Sequence, residues 1–534
     1  MRREARLGRD APLLDGAPQT FWGLVAWRAA TSPDALCMVD EVGRRVSFGE
    51  YHARSEAVAA GLLAAGVAPG ATVAWQLPTR IESLVVCAAL SRLGVVQVPV
   101  VPIYRARELG HALAATTPSH LLVPTRWRGR EHAAEARELA ADHGCAVLVV
   151  DDDLPTGDPA DLPAPPSDPD AHRWTYFTSG TTGGVPKGAR HSDGSLVWAA
   201  HAEVECLDLW PDDRTTIVFP VAHIGGAFFF MAGLIAGQGQ ILIAHFGDDS
   251  VEVLRREGVS HAGAGLTFQR AYLEAQRRDP TTPLFPRIRS FPHGGDAKRP
   301  HVHEALVREF GGVGVLSGYG MTEFAMVASG AADDPPAKLL DRLGRPCTGI
   351  DVRIVGADER VCPPGAEGEI RARGRSMCLG YLDPAHDEAG FDADGYFRTG
   401  DVGFVDEDGF LELTGRLKDV IIRKGENISA VEVEDLLHRH PAVAEVAVVG
   451  VPDAERGEMC CAVVVPAAGR PAPGLAELNA FLVEQGLMTQ KLPERLELRD
   501  ALPRDFFAKV NKAHLRRELL SSTQTIAWLG GDQR

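Results

Sequence analysis

The sequence predicts an α/β protein: a large N-terminal domain of doubly wound parallel sheets, a small β-barrel, and a separate α+β domain at the C-terminus. Three observations predict it. From about residue 70 to 340 short apolar runs alternate with helical patterns, the mark of parallel strands joined by crossover helices. Between about 342 and 415 the runs DVRIV, GEIRARG and FLEL lie close together with Gly, Pro and Asp turns between them, which predicts antiparallel strands of a small barrel. After GRLKD at 415–419 the pattern changes to a short strand, a helix around AVEVEDLLHRH, the strands VAEVAVVGV and MCCAVVVP, and more helices. The expected domains are therefore 1–417, with the barrel-like part at about 342–415, and 418–534.

Length demands this division, because 534 residues exceed what one compact core organises. In the first parallel unit TVAWQL reads as a strand, RIESLVVCAALSRLG as the crossover helix with Ile81, Leu84, Val85 and Ala88 as its buried stripe, and VVQVPV as the next strand. Asp151–Asp170 is rich in Pro and Asp and poor in apolar residues, a surface connection. Thr215–Gly247 contains no Asp, Glu, Lys or Arg and is long enough to span a bilayer. Pro220, His223 and several glycines interrupt it, however, so a strand, a buried helix and a second strand are expected and no transmembrane segment.

Hydrophobic residues make up 45% and charged residues 24% of the chain, so neither disorder nor a disulfide scaffold is indicated. A formal net charge of -17 argues against nucleic-acid binding, which needs clustered Lys and Arg. Any anionic ligand must meet local positive groups. The nine cysteines form no CxxC pair, and they read as reduced core thiols of a cytoplasmic protein. The start, MRREARLGRD, is basic but lacks the apolar stretch of a secretory signal.

The strand-like WTYF at 174–177 runs into TSGTTGGVPKG, Thr178 to Gly188. Glycines let backbone N–H groups turn inward, the hydroxyls of Thr178, Ser179, Thr181 and Thr182 donate hydrogen bonds, and Lys187 supplies charge, a combination suited to a polyphosphate. A flexible linker would share the composition but has no reason to end in Pro-Lys-Gly after a buried strand. Gly188 stands where a P-loop NTPase would carry its Ser or Thr, which disfavours that class. A second cluster, GYGMTE from Gly318 to Glu323, follows the strand-like GVGVL and so falls at a carboxyl-end crevice of an open sheet. Tyr319 could stack a base and Glu323 could ligate magnesium, although alone this hexapeptide is more often an ordinary strand-to-helix turn.

With RTGD at 398–401, GRLKD at 415–419 and LPR...K at 502–509 added, the sequence resembles the adenylate-forming superfamily of acyl-CoA synthetases, adenylation domains and luciferases. The motifs cover most of the chain in the family's order. The resemblance implies that Thr178, Ser179, Gly180, Thr181, Thr182 and Lys187 hold the β- and γ-phosphates of ATP, and that Tyr319 stacks on adenine. Gly294, Gly295 and Asp296 would line the adenine site, Thr322 would approach the α-phosphate, and Glu323 would bind Mg2+. Asp401, helped by Arg416, would accept hydrogen bonds from the ribose hydroxyls, a role for which a turn Asp is the plain alternative.

The same resemblance implies a mobile C-terminal domain. Lys418 aligns with its hinge, where an ordinary solvated lysine is as plain a reading, and Gly425 with the border of the pantetheine tunnel, where glycine also simply suits a turn. Lys509 aligns with the family's catalytic lysine. Here the chain departs from the usual PRTxxGK, reading PRDFFAK with Asp505, Phe506, Phe507 and Ala508.

His223 in FPVAHIGG aligns with a gate to the acyl pocket, beside Phe228 and Phe229 and with Gly318 on the pocket wall; a core histidine is the competing reading. The uncharged stretch provides no Asp to pair with a substrate ammonium, whose burial would be costly, so the expected acid is apolar. The stretch 73–104 resembles cyclohexanecarboxylate and fatty acid CoA ligases. The expected activity is ATP-dependent formation of an acyl-AMP followed by transfer to coenzyme A, with a homodimer compatible with the sequence. Alternatives are a ligase that loads a carrier protein, a luciferase-like oxidation, and a disabled ligase kept as a binding or scaffold protein, suggested by the altered final motif.

Overall fold

The computed structural model describes residues 16–178, 186–295, 298–423, 426–453, 457–504 and 510–529. The chain divides into two compact units, the first comprising Met1–Ser179, Pro186–Val352 and Ala372–Phe397, the second Gly180–Val185, Arg353–Arg371 and Arg398–Arg534.

In the first unit a six-stranded sheet runs Ala146–Val149, His120–Val123, Thr72–Trp75, Val96–Pro99, His172–Phe177, Gly188–Ser192. Its first five strands are mutually parallel and the last returns antiparallel, as the alternation of apolar runs and helices predicts. The crossover helix Ile81–Arg92 buries its expected stripe, but it also buries Glu82, Ser91 and Arg92. Glu82 is matched there by Arg44 at 2.9 Å and Arg92 donates to Pro163 O at 2.7 Å, so partners supplied by other segments let charged residues sit inside.

The uncharged stretch forms the strand Arg214–Ile217, the helix Ile224–Ala236 and the strand Gly239–Leu242. The two strands pair in parallel within a second sheet, ordered Arg45–Ser47, Leu36–Val39, Gly239–Leu242, Arg214–Ile217. Burial inside the protein thus accounts for the hydropathy, and among the described residues no helix is long and apolar enough to cross a membrane. A third sheet pairs Phe291–Gly294 with Val315–Tyr319 in parallel, then adds Ala328–Ser329 and Arg345–Pro346 antiparallel.

Two further sheets draw most of their residues from the second unit. One, in the region expected to form a small barrel, is ordered Ile350–Val355, Gly368–Gly374, Phe397–Val405, Leu411–Arg416, and its last two strands form an antiparallel pair. The other is ordered Glu426–Ser429, Val420–Arg423, Gly457–Pro466, Val443–Asp453, with Arg495–Leu498 alongside Gly457–Pro466. Helices Ala430–Leu437 and Leu475–Glu484 contribute to one apolar core, containing Ile421, Val433, Val448 and Leu478. The helix Lys512–Leu529 contributes Leu515 and Leu519 to the opposite face, with Val449 and Cys461. A strand buried on both faces reads as the continuous apolar run seen in MCCAVVVP.

Candidate functional site

The polyphosphate motif begins where the strand His172–Phe177 ends. Thr178 N donates to Lys187 O at 2.9 Å and Lys187 N donates to Thr178 Oγ1 at 3.1 Å, so the motif's two ends close on each other. Ser179, Gly180, Thr181 and Thr182 lie outside the described residues. Gly188, after the lysine, is closely packed, since a Cβ there would come within 2.6 Å of Leu382 Cδ1 and displace that side chain.

Leu382 belongs to a segment, Ser376 to Leu382, that joins two distant motifs through the backbone. Leu379 N donates to Arg190 O, Arg190 N to Gly380 O and Leu382 N to Gly188 O, which seats the segment on the strand after the polyphosphate motif. Cys378 N donates to Glu323 O and Ala325 N to Ser376 O, which seats it also on the GYGMTE turn. A further tie is the His191 ring, whose Nε2 lies 2.8 Å from Thr322 O. Burial holds this histidine down to about 4, so it is neutral at pH 7, and since a carbonyl only accepts, Nε2 carries the proton.

This seating brings together three side chains. Tyr381, 3% exposed, donates from its hydroxyl to Glu323 Oε1 at 2.7 Å, while Lys187 Nζ lies 5.1 Å from the centre of the same ring. Burial first, and the Glu323 carboxylate next, push the phenol well above its usual range, so it stays protonated and remains the donor. The tyrosine is thus a wedge between a cation and an anion, attracting the ammonium through its face. Sequence reading missed it, and its position after Gly380 in an irregular stretch gives no periodic signal.

Register sets Gly294, expected at the adenine site, opposite Gly318, expected on the acyl-pocket wall, on the paired strands. A Cβ on Gly294 would stand 3.6 Å from Gly318 O. Gly295 has φ +78°, Tyr319 is 7% exposed, and Asp296 lies outside the described residues. Gly320 permits the tight turn, because a Cβ there would be 2.3 Å from Ala325 O.

In the second unit Asp401 lies directly opposite Arg416 in the antiparallel pair. Asp401 is 4% exposed and its Oδ1 is 2.9 Å from Arg416 Nε. Gly400, at φ +68°, and the Thr399 hydroxyl, which accepts from Asp401 N at 3.0 Å, shape the backbone there. RTGD and the first two residues of GRLKD therefore lie on the two strands of one hairpin. Lys418 falls in the short 3-10 turn Leu417–Asp419, whereas Gly425 and Lys509 lie outside the described residues.

His223 caps the helix Ile224–Ala236, its Nδ1 accepting from Gly225 N at 3.1 Å. Phe228 is buried in the core. Phe229 is half-buried, with its ring edge-on to Phe219 at 5.4 Å between centroids. Phe219 was not among the residues singled out from the sequence.

Glu323 suits a hard cation. It is a half-buried carboxylate with Oε1 oriented by Tyr381, and oxygen donors of this kind bind magnesium.

Residues 25–382 match the family model described as AMP-binding enzyme, and residues 432–506 match the AMP-binding enzyme C-terminal domain. A "Salicyl-AMP ligase / salicyl-S-ArCP synthetase" of Mycobacterium tuberculosis is 33% identical over 91% of this chain and 88% of its own. A "Medium-chain fatty-acid--CoA ligase" of Escherichia coli is 29% identical over 97% of this chain and 92% of its own. Among solved structures, o-succinylbenzoate coenzyme A synthetase of Bacillus subtilis in complex with ATP and magnesium superimposes with a TM-score of 0.81, at 28% identity, over 92% of this chain and 98% of that one.

Proposed function

The chain belongs to the AMP-binding enzyme family, and from that premise we propose that its adenylate-forming activity takes an apolar carboxylic acid, fatty or alicyclic, and delivers the acyl group to coenzyme A. The observation that carries the ATP-using half of this reading is the meeting of Lys187 with the face, and of Glu323 with the hydroxyl, of the one buried Tyr381 ring.

In this reading the Lys187 ammonium meets the β- and γ-phosphates, Tyr319 stacks on the adenine, and Gly294 and Gly295 leave room for it. Asp401 accepts from the ribose hydroxyls and Arg416 orients the carboxylate. Glu323 would hold magnesium, which supplies charge neutralisation of the phosphates. A carboxylate oxygen of the acid attacks the α-phosphorus and pyrophosphate leaves, a displacement in which Thr322 and Lys509 stabilise the charge. The thiol then attacks the acyl carbonyl and AMP leaves, with Lys418 as the hinge and Gly425 on the thiol's path. His223, Phe229 and Gly318 face the acyl chain, with Phe228 packed in the core behind Phe229 at 5.2 Å between ring centroids. The apolar acid is supported by the uncharged stretch around Phe219 and Phe229 and by the fatty-acid relative. Nine free cysteines, most of them buried, support a reducing cytoplasmic setting.

One observation favours a second acceptor. The salicyl relative, at the higher identity of the two, is named for an ArCP thioester, which supports a carrier protein in place of coenzyme A. A panel of acids scored by pyrophosphate release, alone, with coenzyme A and with a phosphopantetheinyl carrier protein, tests both. We expect turnover with a fatty or alicyclic acid only when coenzyme A is present. Turnover with the carrier protein alone selects the second reading, and no pyrophosphate exchange with any acid rejects both in favour of a binding protein.

A further inference from the structure

We propose that His111 is a positioning residue for Lys187, holding the lysine's backbone so that its ammonium reaches the polyphosphate; the inference rests on the reading of Lys187 given above. His111 lies on the helix Ala106–Thr116, distant in sequence from the motif at Thr178–Gly188. Its Nε2 is 2.8 Å from Pro186 O, and its ring stands edge-on to Phe177 at 5.5 Å between centroids. Because the carbonyl only accepts, Nε2–H is the donor.

The bond falls on a particular peptide. Pro186 has no N–H, so its carbonyl is that residue's only backbone hydrogen-bonding handle. The same peptide unit ends in Lys187 N, which donates to Thr178 Oγ1 at 3.1 Å. The Pro186–Lys187 peptide is thus gripped at both ends, by His111 on its oxygen and Thr178 on its nitrogen, and its plane is fixed. Thr178 N on Lys187 O at 2.9 Å holds the next peptide. The grip is firm because the helix itself is anchored: Leu109, Ala112 and Leu113 are buried, and Glu108 Oε2 accepts from Arg105 N at 3.1 Å. Without His111, rotation of that peptide would release the point from which the Lys187 side chain departs.

A histidine that merely filled space would affect all ligands or none, whereas a grip on Lys187 affects only those with β- and γ-phosphates. The test is calorimetric titration of the full chain with magnesium-ATP and, separately, with AMP, for the unmodified protein, His111→Phe and His111→Gln. The phenylalanine keeps the ring against Phe177 and removes the donor, and the glutamine carries an amide N–H near the place of Nε2. We expect His111→Phe to raise the Kd for ATP about five- to tenfold, the worth of one hydrogen bond, with the Kd for AMP unchanged and with His111→Gln close to the unmodified protein. Equal ATP affinity in all three proteins, parallel loss of ATP and AMP, or a glutamine variant as weak as the phenylalanine each overturns the proposal. An unmodified protein that binds neither nucleotide rejects the underlying reading as well, which separates the two failures.

Discussion

The two units build their candidate sites in opposite ways. In the second, Asp401 and Arg416 face each other across one antiparallel pair, so a single hairpin register places both groups. In the first, Lys187, Tyr381 and Glu323 come from three segments, and the irregular stretch Ser376 to Leu382 holds them together by pairing with two others. Removal of a side chain in the hairpin should therefore act locally. Removal in the stitched site should be felt by its neighbours.

The largest expected effect is at Lys187. Lys187→Ala removes a counter-charge from the polyphosphate and should lower kcat/KM for ATP by about 10²-fold, measured by pyrophosphate exchange, with the protein still folded by circular dichroism. In a Tyr381→Leu background, which lacks the ring face that Lys187 meets, the same substitution should cost less, since the two act as a unit. Strict additivity would break the contrast drawn between the units.

Next comes Asp401→Ala. It should raise the KM for ATP about tenfold, the scale of a hydrogen bond to a charged group, without changing the order of preferred acids. Since the Arg416 side chain is 42% exposed, the fold should lose only about 1 kcal/mol, readable by denaturant titration. A variant altered only in acid preference would remove Asp401 from the nucleotide site. Tyr381→Phe is milder still: about a three- to tenfold loss in exchange rate, greatest at limiting magnesium because Glu323 loses its orienting donor. An identical magnesium dependence in this variant would show that the phenol does not orient the carboxylate.

The smallest effect is one of pH, and it should appear in one unit alone. His191, held down to about 4 by burial against an ordinary value near 6.5, takes up its proton more readily unfolded than folded. The stability it contributes is therefore complete above about 6.5 and declines as pH falls toward 4. Amide protection at 318–323, taken relative to the intrinsic exchange rate at each pH, should fall over that range while that of 411–416, whose Asp401–Arg416 pair contains no histidine, stays level. His191→Gln keeps a donor that does not titrate and should flatten the response; an equal response in both hairpin and turn would sink the assignment.

This contrast also explains what the sequence made readable. The strand, helix and strand across 215–247 are legible because charge-free runs broken by Pro and Gly fit only short buried elements. Asp401 and Arg416 are legible because each sits in a motif and a hairpin joins neighbouring segments. Tyr381 and His111 are not. One acts from an irregular segment whose pairing partners lie roughly 60 and 190 residues away, as Tyr381–Glu323 and Arg190–Gly380 show. The other is a single histidine on a helix, a residue type that mostly fills or satisfies a surface. The close packing at Gly188 was likewise hidden, since Leu382, the side chain that a Cβ there would displace, is distant in sequence.

The stitching of the first unit has a consequence for how such a chain can vary. The bonds that fix Ser376 to Leu382 on its two neighbours are mostly main-chain to main-chain, so an exposed side chain such as that of Leu379 can drift with the register intact. Ser376, Gly380 and Tyr381 are held more closely, the first because its buried hydroxyl donates to Met326 O at 2.6 Å, the second because its φ of +107° leaves a Cβ only 2.8 Å from Asp387 Oδ2, the third because its hydroxyl holds Glu323. Length is the inherited constraint here. One residue inserted or deleted would throw the segment out of step with both partners at once, so its natural variation should run through substitutions and leave the spacing untouched.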